Sequence, residues 1–191
     1  MILSEKLSEA VDQGTYPDYF SFYKIPEVIR QLPSSISEHI KFVLTLPERD
    51  FLENFPKESL AHIINTGPVP PQEGASLYLE CDALFLPTLL ECFSASYPEA
   101  MAMKKPILTS DLGFSRSICK NAALYFNPVD PVDIAEKITT LYQNHTLRNS
   151  LVMEGSKRLK EFDTAEERAI KYLKICESMI EQRAESIVHS A

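Results

Sequence analysis

Glycine is scarce in this chain, five residues in 191, and nowhere do those five spell G-x-G-x-x-G after a first strand. A nicotinamide-dependent Rossmann enzyme is therefore the poorest reading of it. The four cysteines, Cys81, Cys92, Cys119 and Cys176, make no C-x-x-C pair, and His39, His62, His145 and His189 make no H-x-x-x-H pair. Reduced thiols and no protein-built metal site are the expectation. No apolar run approaches the length of a membrane span, and Met1 to Lys6 lacks the apolar core of a signal peptide, which places the protein in the cytoplasm. Clustered basic residues are missing too: the net charge is -8 and Lys and Arg are scattered, which argues against nucleic acid or anionic lipid as a partner. No internal repeat or low-complexity segment is present.

What remains is an ordinary globular composition, 45% hydrophobic, 24% charged and 9% aromatic, in a length suited to one well-buried core. The most informative stretch runs from Cys81 to Asp111. Ala83 to Leu86 is a short apolar run ended by Pro87, the pattern of a strand buried on both faces. Thr88 to Ala95 has no usable period. Ser96-Tyr97-Pro98-Glu99 then has the form of a helix start, with a hydroxyl cap, Pro in the first turn and Glu at the third helical position, and the helix runs to about Lys104. Pro106 to Thr109 returns as a second buried strand. Two such strands around a helix make a βαβ unit, whose ligands sit beyond the carboxyl ends of the strands, where Glu91 and Glu99 stand.

The flanks continue the alternation. Met1 to Thr15 is polar and weakly patterned, and Tyr16 to Lys24 reads as a strand end entering a loop. Ile25 to Leu32 is a helix, Lys41 to Leu46 a strand, Glu48 to Ala61 a helix broken near Pro56, and His62 to Asn65 a strand ending in the turn Thr66 to Pro70. Gln72 to Cys81 is a helix with Leu77, Tyr78 and Cys81 inward. Phe114 to Lys120 is helical, Ala123 to Phe126 a strand, and Asp130 caps a helix reaching Gln143. From Thr146 to Ser190 the pattern is wholly helical, with Leu147, Leu151, Leu159 and Phe162 on a first face and Ala169, Leu173, Cys176, Met179 and Ile180 on a second. The fold class is α/β, a doubly wound parallel sheet with C-terminal helices. The expected divisions are 1–15, a poorly patterned N-terminal segment; 16–144, the Rossmann-like domain; and 145–191, C-terminal helices packing on it or on a partner.

The run E-C-F-S-A-S-Y-P-E-A-M-A-M-K-K-P resembles the signature of retaining GT-B glycosyltransferases of family 4. That signature has a Glu, seven intervening residues, a second Glu, then A-M-A and a Pro opening the next strand. Glu91 and Glu99 have this spacing, and Ala100-Met101-Ala102, Pro106 and Ser110-Asp111 continue it. The resemblance covers roughly Tyr16 to Asn144 and implies the C-terminal donor-binding domain of a GT-B enzyme. It implies a hexosyl transfer, with retention, from a nucleoside-diphosphate sugar to a saccharide or lipid-linked acceptor, as in polysaccharide biosynthesis. No cofactor or catalytic metal is implied beyond that donor substrate.

By the same resemblance, Glu91 contacts the transferred sugar near its reacting carbon, and Glu99 accepts hydrogen bonds from the ribose. On spacing alone, Ser96-x-x-Glu99 reads equally as a capping box, and a carboxylate has acceptor capacity for both roles. The backbone N–H groups of Cys92, Phe93, Ser94 and Ala95 are expected to bind the diphosphate. Cys92 and Ser94 stand where the family usually has Gly, which restricts φ without removing donors. Lys24 in Phe22-Tyr23-Lys24 matches the family's phosphate-binding Lys, or is a solvated Lys; the Arg that accompanies it in the family falls on Ser21 and the following Asn on Ile25. Gly67 and Val69 lie in the turn that the family passes under the nucleobase, or in a plain turn. The first strand of the family aligns with Ala10 to Thr15, which is not strand-like. An acceptor domain would come from a separate chain or be lost. The alternative is thus a non-catalytic nucleotide-sugar-binding or partner subunit, or a truncated inactive fragment. A homodimer or a heteromeric complex is expected to cover the C-terminal helices.

Overall fold

The computed structural model describes residues 21–188, and in them strands and helices alternate as the sequence predicts. Two units are distinguished, Met1–Leu159 and Lys160–Ala191. In the first, Ser21–Lys24, the end of the segment read as a strand end entering a loop, is a 3-10 turn that leads directly into helix α1, Ile25–Gln31, with Pro26 in the first turn; Tyr16 to Phe20 lie outside the described residues. Strand β1, Phe42–Leu44, precedes α2, Glu48–Asn54, which Pro56 ends as expected; a 3-10 stretch, Lys57–His62, then leads to β2, Ile63–Asn65. Helix α3 is Gly74–Glu80, β3 Leu84–Leu86, α4 Ser96–Ala102, β4 Ile107–Ser110, α5 Gly113–Cys119 and β5 Ala123–Phe126. Helix α6, Pro131–Gln143, starts at Asp130, whose carboxylate accepts the Val132 and Asp133 N–H groups, the expected cap. Helix α7 is His145–Leu159.

All strand pairing is parallel. One sheet has the order β1-β2 and the other β3-β4-β5. The Asn65 side chain prolongs the first sheet past its last residue by accepting the Leu46 N–H and donating to the Leu46 carbonyl. Among the described residues no ladder joins β1 to β3; aromatic packing links them instead, with the Phe42 and Phe85 rings edge to face at 5.6 Å. Ala10 to Thr15, which the resemblance aligns with the family's first strand, lies outside the described residues.

Helices cover both faces. The main core gathers Ile25, Val28 and Leu32 of the α1 region, Ile134, Ile138 and Leu141 of α6, and Phe42, Ile63, Leu108 and Phe126 of the strands. Side chains alternate along a strand, so Thr109, next to Leu108, faces the other side. There its hydroxyl meets the Tyr97 hydroxyl of α4 at 2.8 Å and donates to the Leu86 carbonyl. Helix α7 packs on α4 through Gly155, where a Cβ would lie 3.3 Å from Met101 Cγ. A side chain at 155 would press on the Met101 side chain, while the Met101 backbone would stay at an ordinary 3.9 Å.

The second unit contains helix α8, Ala165–Val188. The Thr164 hydroxyl accepts the Glu167 N–H while the Glu167 carboxylate accepts the Thr164 N–H, a reciprocal capping box. Lys171 pairs with Asp163 at 2.6 Å. The face expected to be apolar is so, and Ile170, Leu173, Met179 and Ile180 are all exposed.

Candidate functional site

Of the residues singled out in the sequence, Glu91 and Cys92 to Ala95 lie in the loop between β3 and α4 and Glu99 in α4 itself, whereas Lys24 precedes α1 and Gly67 and Val69 follow β2. That loop is long because Pro87 ends β3 while α4 cannot begin until Ser96. Glu91 lies in it, half-buried, and its carboxylate carries no hydrogen bond among the described residues. Burial pushes its pKa above the usual carboxylate range. The Glu91 charge also helps to raise the Tyr97 hydroxyl, after the larger effect of burial, which puts the two groups within electrostatic reach. Cys92, Phe93 and Ala95 are exposed and Ser94 is buried.

Helix α4 starts one residue earlier than the spacing predicts. Ala95 is its N-cap, without a side-chain cap, and Ser96 is its first helical residue. The expected Ser96–Glu99 capping box is therefore not formed: Glu99 falls at the fourth helical position, where its own N–H donates to Ala95 O. The Glu99 carboxylate is exposed and turned instead to α3, where the Tyr78 hydroxyl donates to Glu99 Oε2 at 3.2 Å, with Ser96 O at 3.3 Å from the same oxygen. The sequence places Tyr78 inward with the core. In the structure Leu77, Tyr78 and Cys81 are only half-buried, and the tyrosine's polar tip lies beside α4. Burial, then the Glu99 charge, raise the Tyr78 pKa, so it stays a neutral donor.

Lys24 ends the 3-10 turn before α1, and its ammonium is 3.7 Å from the Glu27 carboxylate in a half-exposed pair. No hydrogen bond or ion pair joins Lys24, Glu91 and Glu99 to one another among the described residues. Gly67 follows β2 with φ +73°, a left-handed backbone that glycine adopts freely, and Val69 is half-buried two residues on. Two buried hydroxyls lie just past β3 and at the end of β4, Thr88 Oγ1 and Ser110 Oγ, and neither has a hydrogen-bond partner among the described residues. A buried hydroxyl left in that state costs about 1–3 kcal/mol.

A neighbouring cleft of about 570 Å³ opens at the carboxyl ends of β4 and β5, lined by Leu89, Asp111, Tyr125, Asn127, Asp133 and Lys137 among others. None of the predicted site residues lines it. Arg116, which the sequence reading overlooks, forks onto Asp111 there and stacks 4.0 Å above the Tyr125 ring. Its i+5 spacing from Asp111 is the signal, visible only once β4 is known to end at Ser110.

Residues 26–158 match the glycosyl transferases group 1 family. The chain belongs to that family. An uncharacterized glycosyltransferase of Methanocaldococcus jannaschii is 32% identical over 114 residues, covering 58% of this chain and 32% of the relative, so the chain spans about a third of that protein's length. Among solved structures, the chain is similar to an α,α-trehalose 6-phosphate synthase from Burkholderia multivorans (TM-score 0.69, 14% identity, 88% of this chain and 42% of that one). It is similar also to a sucrose-phosphate synthase from Thermosynechococcus elongatus (TM-score 0.64, 18% identity, 73% and 38%). At such identities the likeness establishes the fold, which is that of GT-B glycosyltransferases.

Proposed function

We propose that this chain is the donor-binding part of a retaining hexosyltransferase acting on a nucleoside-diphosphate sugar. The observation that carries the reading is the Glu91-to-Glu99 loop, which crosses the carboxyl end of β3 in a chain of this family. Open α/β sheets bind their ligands at that edge. The unpartnered Thr88 and Ser110 hydroxyls at the same edge support a polar ligand there.

In this reading the bond from the sugar's anomeric carbon to the diphosphate breaks with its electron pair on the diphosphate. The departing charge is met by Lys24 and by the N–H groups of Cys92 to Ala95, without a bridging metal. The Lys24–Glu27 pair is half-exposed and correspondingly weak, so a diphosphate displaces it readily. The half-buried Glu91 carboxylate faces the positive charge that develops on the sugar, in surroundings where partial burial strengthens the interaction. Glu99 binds the ribose, and Gly67 and Val69 lie under the base. The acceptor, a saccharide or a lipid-linked sugar, is held by a second domain or subunit. The apolar face of α8 suits such a partner or a second copy.

Slow hydrolysis of a nucleotide sugar tests the reading without an acceptor. Proton NMR of the reaction with uridine or guanosine diphosphohexoses reports the anomer released first. Initial release of the donor's own anomer, lost in Glu91→Gln, is the expected result; the opposite anomer contradicts retention.

A further inference from the structure

Resting on the donor-site reading just given, we infer that Tyr78 is a positioning residue for ribose recognition, holding the Glu99 carboxylate in its binding orientation from a different helix. A Glu side chain on an exposed helix surface samples many rotamers, and fixing it when a ligand arrives costs about 1–2 kcal/mol. Tyr78 removes part of that cost beforehand. Its single O–H, 3.2 Å from Glu99 Oε2 and 3.3 Å from the Ser96 carbonyl, is shared between the two acceptors and holds the carboxylate beside the first turn of its own helix. The phenol is half-buried, has a stiff side chain, and keeps its proton because burial and the Glu99 charge both oppose ionisation.

The geometry leaves the carboxylate the right capacity. An ionised carboxylate has roughly four acceptor sites on its two oxygens. Tyr78 occupies one on Oε2, which leaves Oε1 wholly open and Oε2 partly so, enough for the two hydroxyl donors of a ribose. Glu99 makes no other side-chain hydrogen bond or ion pair among the described residues, so without Tyr78 it would be an untethered surface carboxylate. Tyr78 and Glu99 are 21 positions apart in sequence. The pairing puts a determinant of ribose specificity on the helix before β3, outside the motif that carries the two glutamates.

The test is a cycle over protein and ligand. Wild type, Tyr78→Phe, Glu99→Gln and the double variant are titrated by calorimetry with uridine and guanosine diphosphates and with their 2′-deoxy and 3′-deoxy counterparts, and thermal melts confirm that each variant is folded. The expected result is that wild type binds the ribonucleotide more tightly than the deoxy forms. Tyr78→Phe should then weaken the ribonucleotide about three- to thirtyfold, with little change for the deoxy forms, and add nothing to Glu99→Gln. A purely structural role would weaken all ligands equally and add to Glu99→Gln; that outcome, or undiminished ribose preference in Tyr78→Phe, overturns the inference while leaving the donor site standing. Absence of binding by wild type overturns the donor-site reading and this inference together.

Discussion

Arg116 grips Asp111 with two parallel hydrogen bonds, Nε to Oδ1 at 2.6 Å and Nη2 to Oδ2 at 2.7 Å, across the end of β4. The hydrogen bond from Arg116 is the largest cause of the Asp111 pKa lying below its usual value. A depressed carboxylate pKa contributes stability that is present above the unfolded value and lost as pH falls through the folded one. Arg116→Met is therefore expected to melt below wild type at neutral pH. The gap should close on acidification below about pH 4, where Asp begins to protonate, and narrow in high salt. Parallel melting curves from neutral pH to pH 3 check it.

Glu91 has the opposite sign. Burial raises its pKa, so the ionised carboxylate is held at some cost to folding, present above the folded pKa and absent below the unfolded one. Glu91→Gln should accordingly abolish sugar transfer or donor hydrolysis while raising the melting temperature at neutral pH. The gain should vanish below about pH 4, where the carboxyl is neutral in both states. A variant that loses activity and stability together would point to a structural carboxylate.

Close packing between Gly155 and Met101 gives a stability test that also reaches the site. Met101 is 2% exposed, so it has little room to yield to a large side chain at 155. Gly155→Leu should cost about 1–3 kcal/mol by overpacking, read by urea unfolding. Because α4 carries both Met101 and Glu99, the same variant should weaken nucleotide binding. Gly155→Ala should be nearly neutral, since gained helix propensity of about 1 kcal/mol offsets a small shift of the flexible Met101.

The exposed apolar face of α8 carries the prediction about association. Leu173 and Met179 are 63% and 65% exposed. Light scattering is expected to show a species larger than one chain, and Leu173→Asp or Met179→Asp to shift it toward the monomer. Wild type that is monomeric at all concentrations would remove this face from the account.

Much of the fold was legible because its signals are local. Pro56 and Pro87 stop elements, Asp130 caps α6 where predicted, and the segments read as strands at Pro106 to Thr109 and Ala123 to Phe126 became the strands Ile107–Ser110 and Ala123–Phe126. The strand ends were blurred by one to three residues wherever an apolar run outlasted its ladder, as at Lys41 to Leu46, of which only Phe42–Leu44 is paired. The candidate site was legible as a list and not as a geometry. Glu91 and Glu99 follow from the motif, but the cap assigned to Ser96 moved to Ala95, since spacing cannot decide whether a Ser closes the turn or joins it. Tyr78 looked like a core residue because periodicity reports the face of a helix, not where a phenol's tip ends. Arg116 and Asp111 are only five positions apart, but their pairing becomes readable only once β4 is known to end at Ser110 and a helix to start at Gly113.

The central claim is that the edge beside β3 is a donor site, and nucleotide binding tests it most directly. Calorimetry of the wild-type chain with uridine, guanosine and adenosine diphosphates, with and without a chelator, should show binding to one of them that survives the chelator. That binding should weaken about ten- to a hundredfold in Glu99→Gln or Lys24→Ala, the worth of one charge-assisted hydrogen bond. No heat with any of the three up to millimolar concentration, or binding untouched by both substitutions, would contradict the account.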